Sequence, residues 1–155
     1  MTIRLQKILL PTDFSDYSAA ATKYACELAT KFGAELHVLH TLETHLYSTP
    51  GFDMGITLPY YISESRAAAE KALGGVLDPA WAADRTVVLA MAEGSPKEEI
   101  IRYARLHDID LIVIATHGRS GLAHVIMGSV AETVVRTAPC PVLTVRPEGH
   151  QFVMP

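Results

Sequence analysis

Residues 111–129 read LIVIATHGRSGLAHVIMGS. Leu111 to Ala115 has the character of a buried strand, and a helical pattern begins beside Ser129. Between them Gly118, Gly121 and Gly128 fall within eleven residues. Glycines placed between a strand and a helix let backbone approach a ligand closely and aim free N–H groups at it. The ligand suited to such a loop is an anion, most naturally a nucleotide phosphate.

The alternation of strand and helix continues on both sides. Lys7 to Pro11 reads as a short buried strand. Ser15 to Phe32 reads as a helix whose inner face is expected to carry Tyr17, Ala21, Tyr24, Ala25, Leu28 and Phe32, with Gly33 ending it. Glu35 to Thr41 is a second strand. Leu42 to Tyr61 has no sustained period and contains Pro50, Gly51, Gly55 and Pro59, so it is expected to be a long connection. Ile62 to Leu73 reads as helix stopped by Gly74 and Gly75, and Thr86 to Ala92 as a third strand.

Ser95, Pro96 and Glu98 give the signature of a capping box with proline at the first helical position. That helix is expected to reach His107, with Ile100, Ala104 and His107 inward. Val130 to Thr137 is helical, and Pro139-Cys140-Pro141 breaks it before a fifth strand, Val142 to Val145. Near-continuous apolar strands separated by helices imply a parallel sheet covered on both faces. The expected architecture is a doubly wound, five-stranded α/β domain over residues 1–147, with residues 148–155 as a tail. In such sheets ligands bind beyond the carboxyl ends of the strands, where the winding reverses.

Bulk properties narrow the function. A chain of 155 residues with 49% apolar and 19% charged residues fits one globular domain. A net charge of −4 argues against a nucleic-acid or anionic-membrane partner, so an anionic ligand must be held by local donors. A bound divalent cation would help. No apolar run reaches membrane-span length and the N-terminus lacks a signal-peptide core, so the expected location is the cytoplasm. Cys26 and Cys140 lack metal-ligand spacing and are expected to be reduced.

Several chemistries lack their motifs. The chain has no lysine-bearing P-loop, no G-x-G-x-x-G in the first βα turn and no G-x-S-x-G nucleophile elbow. His37 and His40, three apart on one strand, point to opposite faces and cannot share a metal. Binding is better supported than catalysis. At the end of the first strand, Asp13 is either an acceptor for a ribose hydroxyl or base amino group, or a helix cap together with Ser15. Ser129 to Glu132 is itself a capping box, so Ser129 either caps the last helix or shares that helix N-terminus with a phosphate. Arg119 is placed in sequence either to reach such a phosphate or to stand solvated on the loop. His117 either donates to it or braces the strand end.

Across Leu5 to Val145 the chain resembles the universal stress protein family. The residues that carry the likeness are Pro11-Thr12-Asp13-Phe14-Ser15, Gly94-Ser95-Pro96, the Ala115–Ser129 loop and the ending Ala138-Pro139-Cys140-Pro141-Val142-Leu143-Thr144-Val145. The ATP-binding branch of that family has G-x-x-G, nine residues, then G-[ST]. Gly118, Arg119 to Met127, and Gly128-Ser129 match, while Ala115 replaces the first glycine.

The resemblance implies sheet order 3-2-1-4-5 and ATP as ligand, with Mg²⁺ or Mn²⁺ bridging its phosphates. It sets adenine near Asp13 and Thr41, with the ribose and phosphates near Ala115 and Gly118, and counts Pro11 and Thr12 among the cofactor-binding residues. Gly128, Ser129 and Val130 would hold the β- and γ-phosphates. It also implies a homodimer paired through Val142 to Val145. The expected function is a homodimeric stress-response or signalling module governed by nucleotide. The alternative is a nucleotide-independent interaction module with an unknown protein partner.

Overall fold

The computed structural model describes residues 3–44, 57–118 and 127–146. The tail and the middle of the glycine loop lie outside that set, as do Arg119 and residues 45–56 of the connection after the second strand. Five parallel strands, β1 (Lys7–Pro11), β2 (Glu35–Leu42), β3 (Val87–Glu93), β4 (Leu111–Ala115) and β5 (Val142–Val145), form one sheet in the order β3-β2-β1-β4-β5. Leu9 stands opposite His37 on one side and Ile112 on the other, which fixes the central register.

Alternation along the strands divides the core in two. Ile8, Leu10, Leu36, Val38 and Val113 face α1 (Asp16–Phe32) and α2 (Thr57–Gly74). Leu9, Leu39, Ile112 and Ile114 face α4 (Pro96–Leu106) and α5 (Ser129–Thr137). Both faces are covered, which is why the strands read as continuous apolar runs.

The inner stripe of α1 differs from the expected one. Ser18, Ala21, Ala25 and Ala29 are buried, whereas Tyr24 is 56% and Phe32 46% exposed. Neighbours such as positions 24 and 25 point about 100° apart, so only one can face the sheet. Small side chains there let the helix axis come close to the strands. Gly33 ends the helix in the left-handed conformation at φ 62°, as a C-terminal glycine should.

Three other expectations shift. α2 begins at Thr57 rather than Ile62, because Pro59 falls in a first turn whose N–H groups need no helical acceptor. A four-residue helix, α3 (Pro79–Ala82), is capped by Asp78 accepting from Ala80 N at 2.8 Å and is too short to show a period. In α4 the inward residues are Ile100, Ile101 and Ala104, with His107 exposed beyond the last turn.

His37 lies on the α4 face with its side chain only 4% exposed. Its Nδ1 is 2.8 Å from Tyr103 Oη, and His107 stacks on Tyr103 at 4.0 Å. Glu35 Oε1 comes within 2.8 Å of Nε2 without completing a hydrogen bond. Burial pushes the His37 pKa below its usual 6.5, outweighing the opposing pull of the Glu35 charge. The folded protein therefore keeps this ring neutral at a pH where the unfolded chain protonates it. Unfolding then takes up a proton, and stability falls as pH drops below 6.5. Urea unfolding from about pH 7.5 down to about pH 5 is expected to show a steeper loss in the wild type than in His37→Gln. Equal slopes would remove His37 as the cause.

Cys26 and Cys140 are free thiols, each partly buried against one of the two cores. Burial pushes the Cys26 thiol up to about 11 and raises that of Cys140 as well. Both are expected to react slowly with a disulfide reagent in the native protein and rapidly in urea. Fast native labelling of either would contradict that placement.

Candidate functional site

β1 and β4 are neighbours, yet the chain leaves β1 for α1 on one face and leaves β4 for α5 on the other. The winding reverses at this pair, which opens a gap beyond their carboxyl ends. A cleft of about 880 Å³ lies there.

The β1 side is a tight turn. Thr12 N donates to Leu39 O at 2.9 Å, extending the ladder one residue past the strand. Ser15 is the N-cap of α1, and its Oγ accepts from Ser18 N at 3.3 Å. Asp13 braces that cap instead of providing it: Oδ1 accepts from Ser15 N at 3.0 Å and from Ser15 Oγ at 2.6 Å. The other oxygen faces β4, because a Cβ built on Gly118 would lie 2.7 Å from Asp13 Oδ2. Phe14 takes φ 64° and stacks on His40, with ring centroids 4.3 Å apart.

On the β4 side, Ala115 is an ordinary strand residue opposite Val145. Its methyl belongs to the apolar core on the α1 face, so a glycine there is not required by backbone conformation. Thr116 N donates to Val145 O at 2.9 Å, and Thr116 O accepts from Gly128 N at 2.7 Å. That bond brings both ends of the glycine loop together, and a Cβ on Gly128 would sit 3.3 Å from Thr116 O. His117 is braced, with Nδ1 3.0 Å from Thr116 Oγ1 and its ring 6.0 Å from that of Tyr17.

The N-cap of α5 is Gly128, not Ser129, and no side chain completes a capping box. The first helical bond runs from Glu132 N to Gly128 O at 2.9 Å. The N–H groups of Ser129, Val130 and Ala131 precede it and have no acceptor within the helix. Their dipoles add to the positive end of the macrodipole at the cleft. The anion-receiving geometry therefore does not compete with a serine cap.

A second helix start borders the cleft. Gly94, at φ 135°, makes a turn that only glycine adopts easily, and its N–H donates to Leu42 O at 3.0 Å. Ser95 occupies the N-cap of α4, but its side chain makes no capping bond. Pro96 supplies no N–H, and the Ser95 carbonyl takes Glu98 N and Glu99 N directly.

Pro11, Thr12, Asp13, Thr41, Ala115, Gly118, Gly128, Ser129 and Val130 all line this one cleft. Arg119 lies outside the described residues. The sequence reading missed His40 and Phe14, and also Ser65 of α2 and Lys97 of α4, which share the lining. His40 was accessible in principle, since strand alternation sets it at the carboxyl end of β2 on the α1 face. A left-handed phenylalanine has no sequence signature. Among the described residues no group of three or more His, Cys, Asp or Glu side chains is arranged to hold a metal ion. None of the described helices is long and apolar enough to cross a membrane.

The universal stress protein family model matches residues 4–146. The chain is 33% identical over 142 residues to universal stress protein MJ0531 of Methanocaldococcus jannaschii, covering 91% of this chain and 82% of that one. Its structure superposes on the universal stress protein UspA from Lactobacillus plantarum with a TM-score of 0.82, at 30% identity over 94% of this chain and 100% of that one. It also superposes on a universal stress protein crystallised in complex with cAMP, with a TM-score of 0.69, at 25% identity over 94% of this chain and 100% of that one. With sheet order, cleft and sequence in agreement, this chain belongs to the universal stress protein family.

Proposed function

We propose that this chain binds ATP in the cleft between β1 and β4 and acts as a stress-response or signalling module whose conformation follows its nucleotide state. The observation that carries this reading is the start of α5. Three N–H groups without helical acceptors open there, beside two glycines whose Cβ atoms would crowd Asp13 and Thr116. Phosphate oxygens accept from such groups, and the helix dipole favours their charge. A relative crystallised with cAMP supports a nucleotide as the ligand class.

In this reading Pro11, Thr12, Asp13 and Thr41 receive the nucleoside end. Ala115, Gly118 and Arg119 lie along the ribose and phosphates, and Gly128, Ser129 and Val130 hold the terminal phosphates. Mg²⁺ or Mn²⁺ enters with the nucleotide and is held chiefly through phosphate oxygens. The chain forms a homodimer through β5, an edge strand that pairs only with β4 within the described sheet. Its place of action is the cytoplasm.

The test is extraction. Purified protein is denatured, and any released nucleotide is identified by chromatography. Bound ATP among the released nucleotide, or saturable uptake of added Mg-ATP by the stripped protein, is expected. Protein that carries no nucleotide and also fails to take up added ATP would leave a nucleotide-independent interaction module as the better account.

A further inference from the structure

We propose that His40 is a positioning residue of this cleft: it clamps the Thr12–Ser15 turn in a strained conformation that presents Asp13 to the bound nucleoside. The inference rests on the nucleotide reading for its ligand.

Among the described residues only Phe14 and Asp108 are non-glycine residues with positive φ. Aspartate visits that region readily, whereas a bulky aromatic residue there is an outlier. Such strain persists only where the surroundings over-determine it, and it concentrates at functional sites.

The restraints on Phe14 converge on one imidazole. His40 Nδ1 donates to Thr12 O at 2.9 Å, two residues before Phe14. The same ring stacks on Phe14 at 4.3 Å with an interplanar angle of 27°. His40 therefore grips the chain on both sides of Asp13. The Phe14 amide adds a bond to Thr12 Oγ1 at 3.1 Å, which closes the turn.

His40 is only 7% exposed, so its ring cannot swing out to solvent without opening this packing. Without the clamp the turn relaxes toward negative φ, and the peptide that aims Asp13 rotates with it. Asp13 Oδ2 occupies the space a Cβ on Gly118 would need, so that rotation moves the carboxylate relative to the end of β4.

The test uses the full chain and two readouts. Amide exchange at Phe14 and Ser15 is followed in nucleotide-free protein, and ATP affinity is followed by calorimetry. His40→Ala is expected to speed exchange at both amides about tenfold while the β1 amides stay protected, and to weaken ATP about tenfold. His40→Asn retains a side-chain N–H near the place of Nδ1 and is expected to recover most of both. Adding Phe14→Gly to His40→Ala makes positive φ inexpensive and is expected to restore affinity about threefold or more.

If His40→Ala does not fold, His40→Phe keeps the stack and removes the donor, and is expected to show the same exchange defect at smaller size. Wild-type exchange in His40→Ala or His40→Phe overturns the clamp. So does an affinity loss that neither His40→Asn nor Phe14→Gly recovers, which marks general destabilisation. A wild-type chain that binds no ATP refutes the nucleotide reading and with it the ligand of this inference. ATP binding unaffected by His40→Ala refutes the role of His40 alone.

Discussion

Gly118→Val is expected to fold like the wild type and to lose ATP affinity by about 100-fold or more, equivalent to about 2.7 kcal/mol of binding free energy. The cause is crowding rather than backbone conformation. A Cβ at position 118 would stand 2.7 Å from Asp13 Oδ2, closer than real contacts of that kind allow. Asp13 cannot easily retreat, because its other oxygen is held by both the amide and the hydroxyl of Ser15. The alternative is a shift of the segment from Thr116 to Gly118. That segment fixes the start of α5 through the bond from Gly128 N to Thr116 O. Either way the two sides of the cleft lose their relative placement.

The core is untouched by this change, so the thermal midpoint should move little. Calorimetric titration beside thermal unfolding separates the two effects. Wild-type affinity in a folded Gly118→Val protein would remove the glycine loop from the binding site.

Ile112→Ala is expected to cost about 2–5 kcal/mol of stability, a large share of the roughly 5–15 kcal/mol typical of a domain. Ile112 is fully buried, pairs with Leu9 on one side and Val142 on the other, and belongs to the core under α4 and α5. Truncation there leaves a cavity between the sheet and two helices, where rigid neighbours cannot collapse into it. Leu89 on the edge strand β3 is 47% exposed. Leu89→Ala is therefore expected to cost less than about 1 kcal/mol. Urea midpoints at unchanged slope give both values. Similar costs at the two positions would contradict the assigned layering of the sheet.

Much of this architecture is legible in the sequence because the physics acts locally. A strand buried on both faces needs a continuous apolar run, and Leu111 to Ala115 shows one. A helix that must stop needs a residue tolerant of positive φ, and Gly33 is that residue. The order of these signals leads to a parallel sheet, and the loop glycines lead to the end of the sheet where a ligand fits.

What stayed hidden depends on tertiary contact. Periodicity alone could not separate the alanine stripe of α1 from Tyr24 and Phe32, since helix-to-sheet distance decides between them. Pro59 reads as a breaker unless its place in a first turn is known. Ser129 looks like a cap, but Gly128, whose N–H donates to Thr116 O, takes the N-cap place and the helix starts one residue earlier. Left-handed Phe14 stacks on His40, which lies in another strand.

The central claim is that nucleotide binds where β1 and β4 diverge. Its most direct measurement is calorimetric titration of nucleotide-stripped wild-type protein with Mg-ATP. The account predicts a saturable, one-site isotherm in the micromolar range, corresponding to about −8 kcal/mol. A flat titration of correctly folded, stripped protein would contradict it.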